Sequence, residues 1–430
     1  MKTDQIQKVH KDWYKLDLSA IVYPTLQRRD FSSVYRLSVL LKEDIDPEIL
    51  QRAVNLTMPR FPTYKAAIRK GVFWRYLEPN DRPGPFVQED VKNPCQPMHF
   101  KGNNRYLVRI YYYRNRIALE AHHSLGDGTG GMCVLQTLTA TYLRLKGHSE
   151  IENGGFVLDI LGIPDPGELE DAYMKYANAK VCPPRPGEKT YRVRGTKEPF
   201  YTLNIIDGIM SVSEVMQVAK SYNATITEYL NSVLLYALMQ KQESEWHLKL
   251  RPVKIAMPVN LRRFFPSRTL RNFITMIYPG IDPRLGEYTF EEIVTQVHNY
   301  MRYYLNEKLL RGDITTNAET QRNPFIRIVP LFIKDLVVRQ FYTKIQDKNS
   351  SAGLTNMGAL KVTETMKPYI ERFDIYMGQP FSTRTNCAIA SFEDILTINF
   401  ASSIAETDVE RLFFRKLVQD GIHVKIESNR

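Results

Sequence analysis

Strand-like and helix-like periodicities alternate along nearly the whole chain, and this alternation limits the possible folds more than any other feature. Residues 33–41 alternate apolar and polar side chains with the period of two expected of a strand. Asp46-Pro47 then supplies an N-cap and a first-turn proline, ahead of Ile49, Leu50, Ala53 and Val54 at helical spacing. Residues 64–68 and 73–77 flank Lys70-Gly71 as a hairpin, and 106–113 with 117–122 form a second one around Arg114-Asn115-Arg116. A helix over 132–146 ends at Gly147. Later, Ser211/Glu214, Thr225/Glu228 and Thr289/Glu292 have the spacing of capping boxes, the last opening a long helix to about residue 310. Strands are predicted near 353–360, 371–378, 386–392 and 395–401, before a closing helix capped by Thr407 and Glu410.

A change of texture divides this pattern. Pro164, Pro166, Pro183, Pro184, Pro186 and Gly187 punctuate a charged, irregular run that ends near Pro199. The sequence therefore predicts an N-terminal lobe over 1–180, a linker over 181–198 and a C-terminal lobe over 199–430, both lobes mixed α/β with a cleft between them. A content of 43% hydrophobic and 24% charged residues argues against disorder and against membrane spanning. No stretch reaches the roughly 20 apolar residues that a transmembrane helix needs.

The start is charged throughout, without the apolar core of a secretory signal, so a cytoplasmic location is expected and the two glycosylation sequons, at Asn55 and Asn223, are idle. Cys95, Cys133, Cys182 and Cys387 have neither disulfide-framework nor zinc spacing. The charge of +11 fits anionic ligands such as nucleotides or coenzyme phosphates, anionic membrane surfaces, or nothing specific.

The segment Ala121-His122-His123-Ser124-Leu125-Gly126-Asp127-Gly128-Thr129-Gly130-Gly131 lies where a strand gives way to a helix. Its glycines fit a G-x-G-x-x-G pattern. A dinucleotide site there would set Asp127 against two phosphates, and no acidic residue ends a second strand about 20 residues on. The unit of interest is instead His122-His123-x-x-x-Asp127-Gly128. Adjacent side chains in an extended segment point to opposite faces, so one histidine faces a cleft and the other packs inside. The diverging rings also argue against a metal site. An imidazole with an ordinary pKa near 6.5 accepts a proton from a hydroxyl at neutral pH. Asp127 can hold the loop's shape, and the small Gly128 lets a substrate lie against the backbone. Arg262, Arg263, Arg268 and Arg271 form a local basic run, which suits either a solvated charged face or phosphate groups of a ligand. Cys133 reads as a small buried residue rather than a nucleophile. The Tyr111-Tyr112-Tyr113 cluster reads as strand packing rather than a nucleic-acid surface.

These residues resemble the acyltransferase superfamily with the chloramphenicol acetyltransferase fold, which carries the signature HHxxxDG. Leu16-Asp17, Pro258-Val259-Asn260-Leu261-Arg262 with Asn272-Phe273, and Thr355-Asn356-Met357-Gly358 look like further landmarks of it. The likeness is nearest to bacterial alcohol acetyltransferases and condensation domains. The plant DFGWG element is only approximated, by residues 373–378.

The resemblance implies a two-lobed α/β fold with mixed sheets, flanking helices and a tunnel between the lobes. It implies His123 as general base, His122 as a structural motif residue, and Asp127 as a structural residue held by Arg262. Asn356, Ser382 and Thr383 are candidate oxyanion donors. The implied reaction moves an acyl group, acetyl foremost, from acyl-coenzyme A as co-substrate to an alcohol or amine, with Gly128, Arg262 and Arg263 against the coenzyme and no permanently bound cofactor. The alternatives are a condensation-type enzyme whose donor sits on an acyl or peptidyl carrier protein, and a non-catalytic binding module that keeps the fold.

Overall fold

The computed structural model describes residues 13–27, 31–180, 188–245, 247, 249–378 and 383–430, without the side chains of 320 and 341–348. Cys182, the Pro183–Gly187 part of the expected linker and Ser382 lie outside the described residues. Among the described residues the strands are β1 (Tyr14–Lys15), β2 (Val34–Leu41), β3 (Ala66–Lys70), β4 (Arg75–Pro79), β5 (Val87–Glu89), β6 (Val108–Tyr113), β7 (Arg116–His122) and β8 (Asn204–Ser211). They continue with β9 (Val253–Asn260), β10 (Ile274–Ile277), β11 (Gly280–Ile281), β12 (Ala352–Ala359), β13 (Ile370–Met377), β14 (Thr385–Phe392), β15 (Ile395–Ser402) and β16 (Lys425–Ser428). The helices are α1 (Tyr23–Leu26), α2 (Pro47–Thr57), α3 (Gly128–Lys146), α4 (Ala172–Tyr176), α5 (Val212–Ser221), α6 (Ile226–Ser244), α7 (Phe290–Tyr304), α8 (Glu307–Arg322), α9 (Pro324–Arg327), α10 (Leu331–Asn349) and α11 (Asp408–Gln419).

Two mixed sheets carry the architecture. The first has the order β13-β2-β7-β6-β5, antiparallel except for the β5–β6 pair. The second runs β10-β9-β12-β14-β15-β8-β16, with β12 parallel to both its neighbours and β11 pairing with β9. A small sheet, β1-β4-β3, lies apart. Each large sheet has its own apolar core, one built around β2, β7 and α3, the other around α6, β9 and α11. With helices packed on these mixed sheets, the fold class is the α/β one that the pattern predicts.

The alternating strand β2 is buried at every position, because its polar face is also covered. There Arg36 makes a two-pronged ion pair with Asp90 and bonds Glu120 at 3.0 Å. Glu120 also pairs with Arg109 at 2.9 Å, so each charge in this buried network has an opposite partner.

Four differences from the sequence reading have local causes. Helix α3 begins four residues early, at Gly128, because Asp127 caps it by accepting from the Thr129 and Gly130 amides. The long helix expected to reach about residue 310 stops at Tyr304, where Asn306 caps a second helix by accepting from the Leu309 amide. At α5 the Glu214 carboxylate leaves the capping box and takes hydrogen bonds from the amide and ring of His423, while Ser211 still caps. The boxes at Thr225 and Thr289 are complete. At the start of α11, by contrast, the Thr407 side chain makes no cap bond, contrary to the sequence reading. Its backbone (φ −115°, ψ 27°) lies outside the extended region that the Thr225 and Thr289 caps adopt.

One pairing crosses the chain's two halves. β13 joins the first sheet by pairing with β2, Phe373 opposite Val39, although its sequence neighbours β12 and β14 belong to the second sheet. Thr397 donates to the Phe373 carbonyl at 2.8 Å, and the Ile375 amide donates to Asn399 at 3.0 Å, so the two sheets are stitched along this strand.

Candidate active site

The site grows from the end of β7. Val34 pairs with His122, and one residue further the His123 amide still donates to the Ser33 carbonyl at 2.8 Å. The strand then breaks: the Leu125 amide turns back to the His122 carbonyl and Asp127 starts α3. Strand alternation puts His122 on the face of Glu120 and His123 on the face of Ala121, whose cross-strand partner is Tyr35.

The two imidazoles accordingly have different surroundings. His122 is fully buried. Its Nδ1 accepts from the Ser124 amide at 3.2 Å, which leaves Nε2 as the donor to Gln27 Oε1 at 3.1 Å. Burial, with His123 alongside, pushes its pKa down to about 3. His123 is half-buried, its ring stacked on Tyr23 (centroids 4.8 Å apart) and tilted against Tyr35 (4.6 Å). Its Nδ1 is enclosed and makes no well-aligned hydrogen bond, while the residue as a whole keeps part of its surface exposed. Burial pushes the His123 pKa down to about 4, against the opposing pull of the Asp127 charge and the Asn272 side chain. The imidazole is therefore neutral at pH 7, with a lone pair available to take a proton.

Asp127 organises the loop. One carboxylate oxygen caps α3; the other accepts from the Arg262 guanidinium at 2.8 Å and the Phe273 amide at 2.9 Å. Arg262 also donates to Thr269 O, Asn260 Oδ1 and Arg271 O, so four hydrogen bonds tie it to the protein. That geometry leaves little of it for coenzyme phosphates. Asn260 completes the junction by donating to Thr129 at 3.2 Å.

The rest of the basic run divides. Arg271 is buried beside Asp17, Arg268 pairs with Asp165 at the surface, and Arg263 is exposed, next to Gly358. These arginines do not form one patch, since the chain turns between them.

The glycines are dictated by close approach. A Cβ on Gly130 would lie 1.9 Å from the Leu270 carbonyl, and one on Gly131 2.6 Å from the Tyr35 hydroxyl. At Gly128 it would meet the Met357 sulfur at 3.0 Å, so the Thr355–Gly358 stretch of β12 faces the motif loop.

Of the oxyanion candidates, Asn356 donates to Thr227 Oγ1 at 2.9 Å and accepts from the Gly358 amide, while the Thr383 hydroxyl donates to Asn386. Thr383 thus has its proton committed elsewhere. Cys133 is buried, and burial pushes its thiol up to about 12, which removes it as a nucleophile.

Residue patterns did not announce Tyr23 and Tyr35 at the imidazole, or the link from Asp17 to the His123 backbone. The Asp17 carboxylate accepts from Asn272 Nδ2 at 3.0 Å and from the Ala20 amide at 2.8 Å, and Asn272 Nδ2 also reaches the His123 carbonyl at 2.9 Å. Asn272 Oδ1 and His123 Nδ1 are both enclosed without a well-aligned hydrogen bond, and the Asn272 side chain still pulls the imidazole pKa upward. Leu16-Asp17 and Asn272-Phe273 stand out in the sequence, but 255 residues separate Asp17 from Asn272, and only the fold joins them.

No family model matches this sequence, and no curated protein matches it. Solved structures do. The chain is similar to a trichothecene 15-O-acetyltransferase from Fusarium sporotrichioides, with 13% identity over 95% of this chain and 94% of that one, at a TM-score of 0.59. It is similar to polyketide synthase associated protein 5 from Mycobacterium tuberculosis at 13% identity, covering 94% and 96% of the two chains, with a TM-score of 0.58. The starter condensation domain of rhizomide synthetase, solved with C8-CoA, matches at 12% identity over 97% of each chain, with a TM-score of 0.59.

Proposed function

From a chain that has the two-lobed fold of the chloramphenicol acetyltransferase-like and condensation-domain superfamily, we propose an acyltransferase that moves an acyl group, acetyl foremost, from coenzyme A to an alcohol or amine. In this reading 1–180 and 199–430 are the lobes joined by 181–198, with β13 lent across, and the substrates reach His123 through a passage between them.

The observation that carries the proposal is the neutral, half-buried His123 ring, held between Tyr23 and Tyr35 with Nδ1 enclosed. As the acceptor oxygen or nitrogen attacks the thioester carbonyl, its proton passes to Nε2. The tetrahedral oxyanion then collapses with cleavage of the C–S bond, and the same proton goes to the departing thiolate. Such a base contributes about 10²–10⁴-fold. Asp127 and Arg262 keep the loop in place, and Arg263, exposed beside Gly358, is the arginine left to meet the coenzyme phosphates, with Gly128 against the acyl chain. For the oxyanion, Asn356 retains one amide N–H, and Ser382 is the other candidate.

A condensation domain of this fold is solved with C8-CoA, which supports an acyl-CoA donor here. Condensation domains among the similar structures equally favour a donor tethered to a carrier protein as the second reading. The test is thiol release from acetyl-CoA and longer homologues across a panel of alcohols and amines. Turnover lost in His123→Ala supports the proposal. Ligand binding with complete inertness would overturn it in favour of a binding module, and turnover only with carrier-bound donors would favour the second reading.

A further inference from the structure

Over residues 332–337, at the start of α10, the usual polarity is inverted. Phe332, Ile333, Leu336 and Val337 are exposed, whereas Lys334 and Asp335 are half-buried against the protein. Lys334 donates to the Phe73 and Arg327 carbonyls, and Asp335 is held by Arg75 at 2.6 Å and Thr25 at 2.8 Å, so these bonds fix which way the helix faces. The Leu331 amide donates to the Val72 carbonyl, which joins the β3–β4 hairpin tip to the same surface. Together Val72, Trp74, Phe325, Ile328, Phe332 and Leu336 stand 50–77% exposed in one neighbourhood.

From this face we infer that the protein docks on the surface of an anionic lipid bilayer. Scattered exposed apolar residues are ordinary, but bulky ones gathered on the β3–β4 tip, α9 and α10 are not. Val72, Trp74, Ile328, Phe332 and Leu336 stand 50–74% exposed, while Phe325 borders an open hollow with Arg322 and Ile326, and side chains so exposed suit insertion among acyl chains. Lys70, Arg322, Arg327 and Arg339 are exposed around them. On the acidic side, Asp335 is neutralised by Arg75 and Glu319 lies at the edge. A cationic rim around protruding aromatic and aliphatic anchors is complementary to negatively charged headgroups. Among the described residues no helix is long and apolar enough to cross a membrane, so the attachment is peripheral. The face also adjoins the site: α10 packs on α1 through Thr25, and α1 carries Tyr23, which stacks on His123. A docked molecule would hold His123 one short helix from the lipid, where a hydrocarbon-chain acceptor or donor dissolves.

The surface stands apart from the acyl-transfer reading, because vesicle binding is read without turnover, including in His123→Ala. The full chain is sedimented with phosphatidylglycerol vesicles and, separately, phosphatidylcholine vesicles, at low and high salt. Binding to the first, weakened by salt and at least about tenfold stronger than to the second, is expected, with a blue shift of tryptophan emission that disappears in Trp74→Phe. Phe332→Asp/Leu336→Asp, at exposed positions, should cut vesicle binding at least about tenfold with an unchanged melting temperature. If this double variant unfolds, Val72→Ser/Trp74→Ser carries the same expectation. Absence of binding to phosphatidylglycerol at low salt would overturn the inference. So would binding unaffected by either variant, or a self-association or acidic carrier-protein complex that both variants abolish while vesicles are ignored.

Discussion

Burial fixes the protonation state of both motif histidines. In the unfolded chain each titrates near 6.5, while in the fold His123 is pushed down to about 4 and His122 to about 3. Between these limits the unfolded chain binds more protons than the native one, so stability rises with pH across about 4 to 6.5 and is lost as pH falls through it. A series of denaturant melts should show this slope, and His122→Asn should flatten it. Turnover that depends on the free base should hold level down to about pH 5 rather than failing near 6.5. Asp127 and Asn272 both raise the His123 pKa, so Asn272→Ala should lower it further. A nuclear magnetic resonance titration of the ring reads this directly, where a merely structural loss would leave the pKa in place. His123→Ala should cost at least about a hundredfold in turnover while the melting temperature moves by only a few degrees. Asp127→Ala is a different case, since it strands the Arg262 charge and uncaps α3. A loss of about 3–5 kcal/mol is expected, read as a lower denaturant midpoint.

At the scale of elements, the capped helices and the two early hairpins were legible because their signals sit within a few consecutive residues. Thr225 and Glu228 bond each other across a single turn, and no distant partner is needed to predict it. The break between α7 and α8 was missed because Asn306 competes locally with a helical periodicity that runs straight through it. The glycines of the motif loop show what spacing could not say. Gly130→Ala drives a methyl into the Leu270 backbone and should destabilise by about 1–3 kcal/mol or more. Gly128→Ala meets only the flexible end of Met357 and should fold normally. Thermal melts of the pair separate a packing demand from a ligand-facing one.

Across the whole molecule, β13 decides how the halves meet. Its Arg372 bonds the buried Asp374 at 3.2 Å, and Tyr376 donates to Asp207 on β8 at 2.9 Å. Burial, with Asp374 nearby, pushes Asp207 up to about 7. Arg372→Met would leave Asp374 enclosed without its cation and should cost about 3–5 kcal/mol. Because β13 hydrogen-bonds into one sheet and is stitched to the other, the loss should appear in a single unfolding transition rather than in one half alone.

The sequence by itself determined the α/β alternation, most helix caps, the loop that bears the motif and the opposite facing of its two histidines. Each of these is settled by neighbours along the chain, through strand alternation or a capping side chain. Only the tertiary structure decided that Arg262 is held by four protein hydrogen bonds, that Tyr23 and Tyr35 enclose the His123 ring, that Asp17 reaches the His123 carbonyl through Asn272, and that Phe332, Ile333, Leu336 and Val337 of α10 face outward. Apart from the Arg262 bonds to Asn260, Thr269 and Arg271, which stay within nine residues, these contacts join residues from about ninety to more than three hundred positions apart, and which of them meet depends on how sheets and helices pack, a free-energy balance that no local pattern encodes.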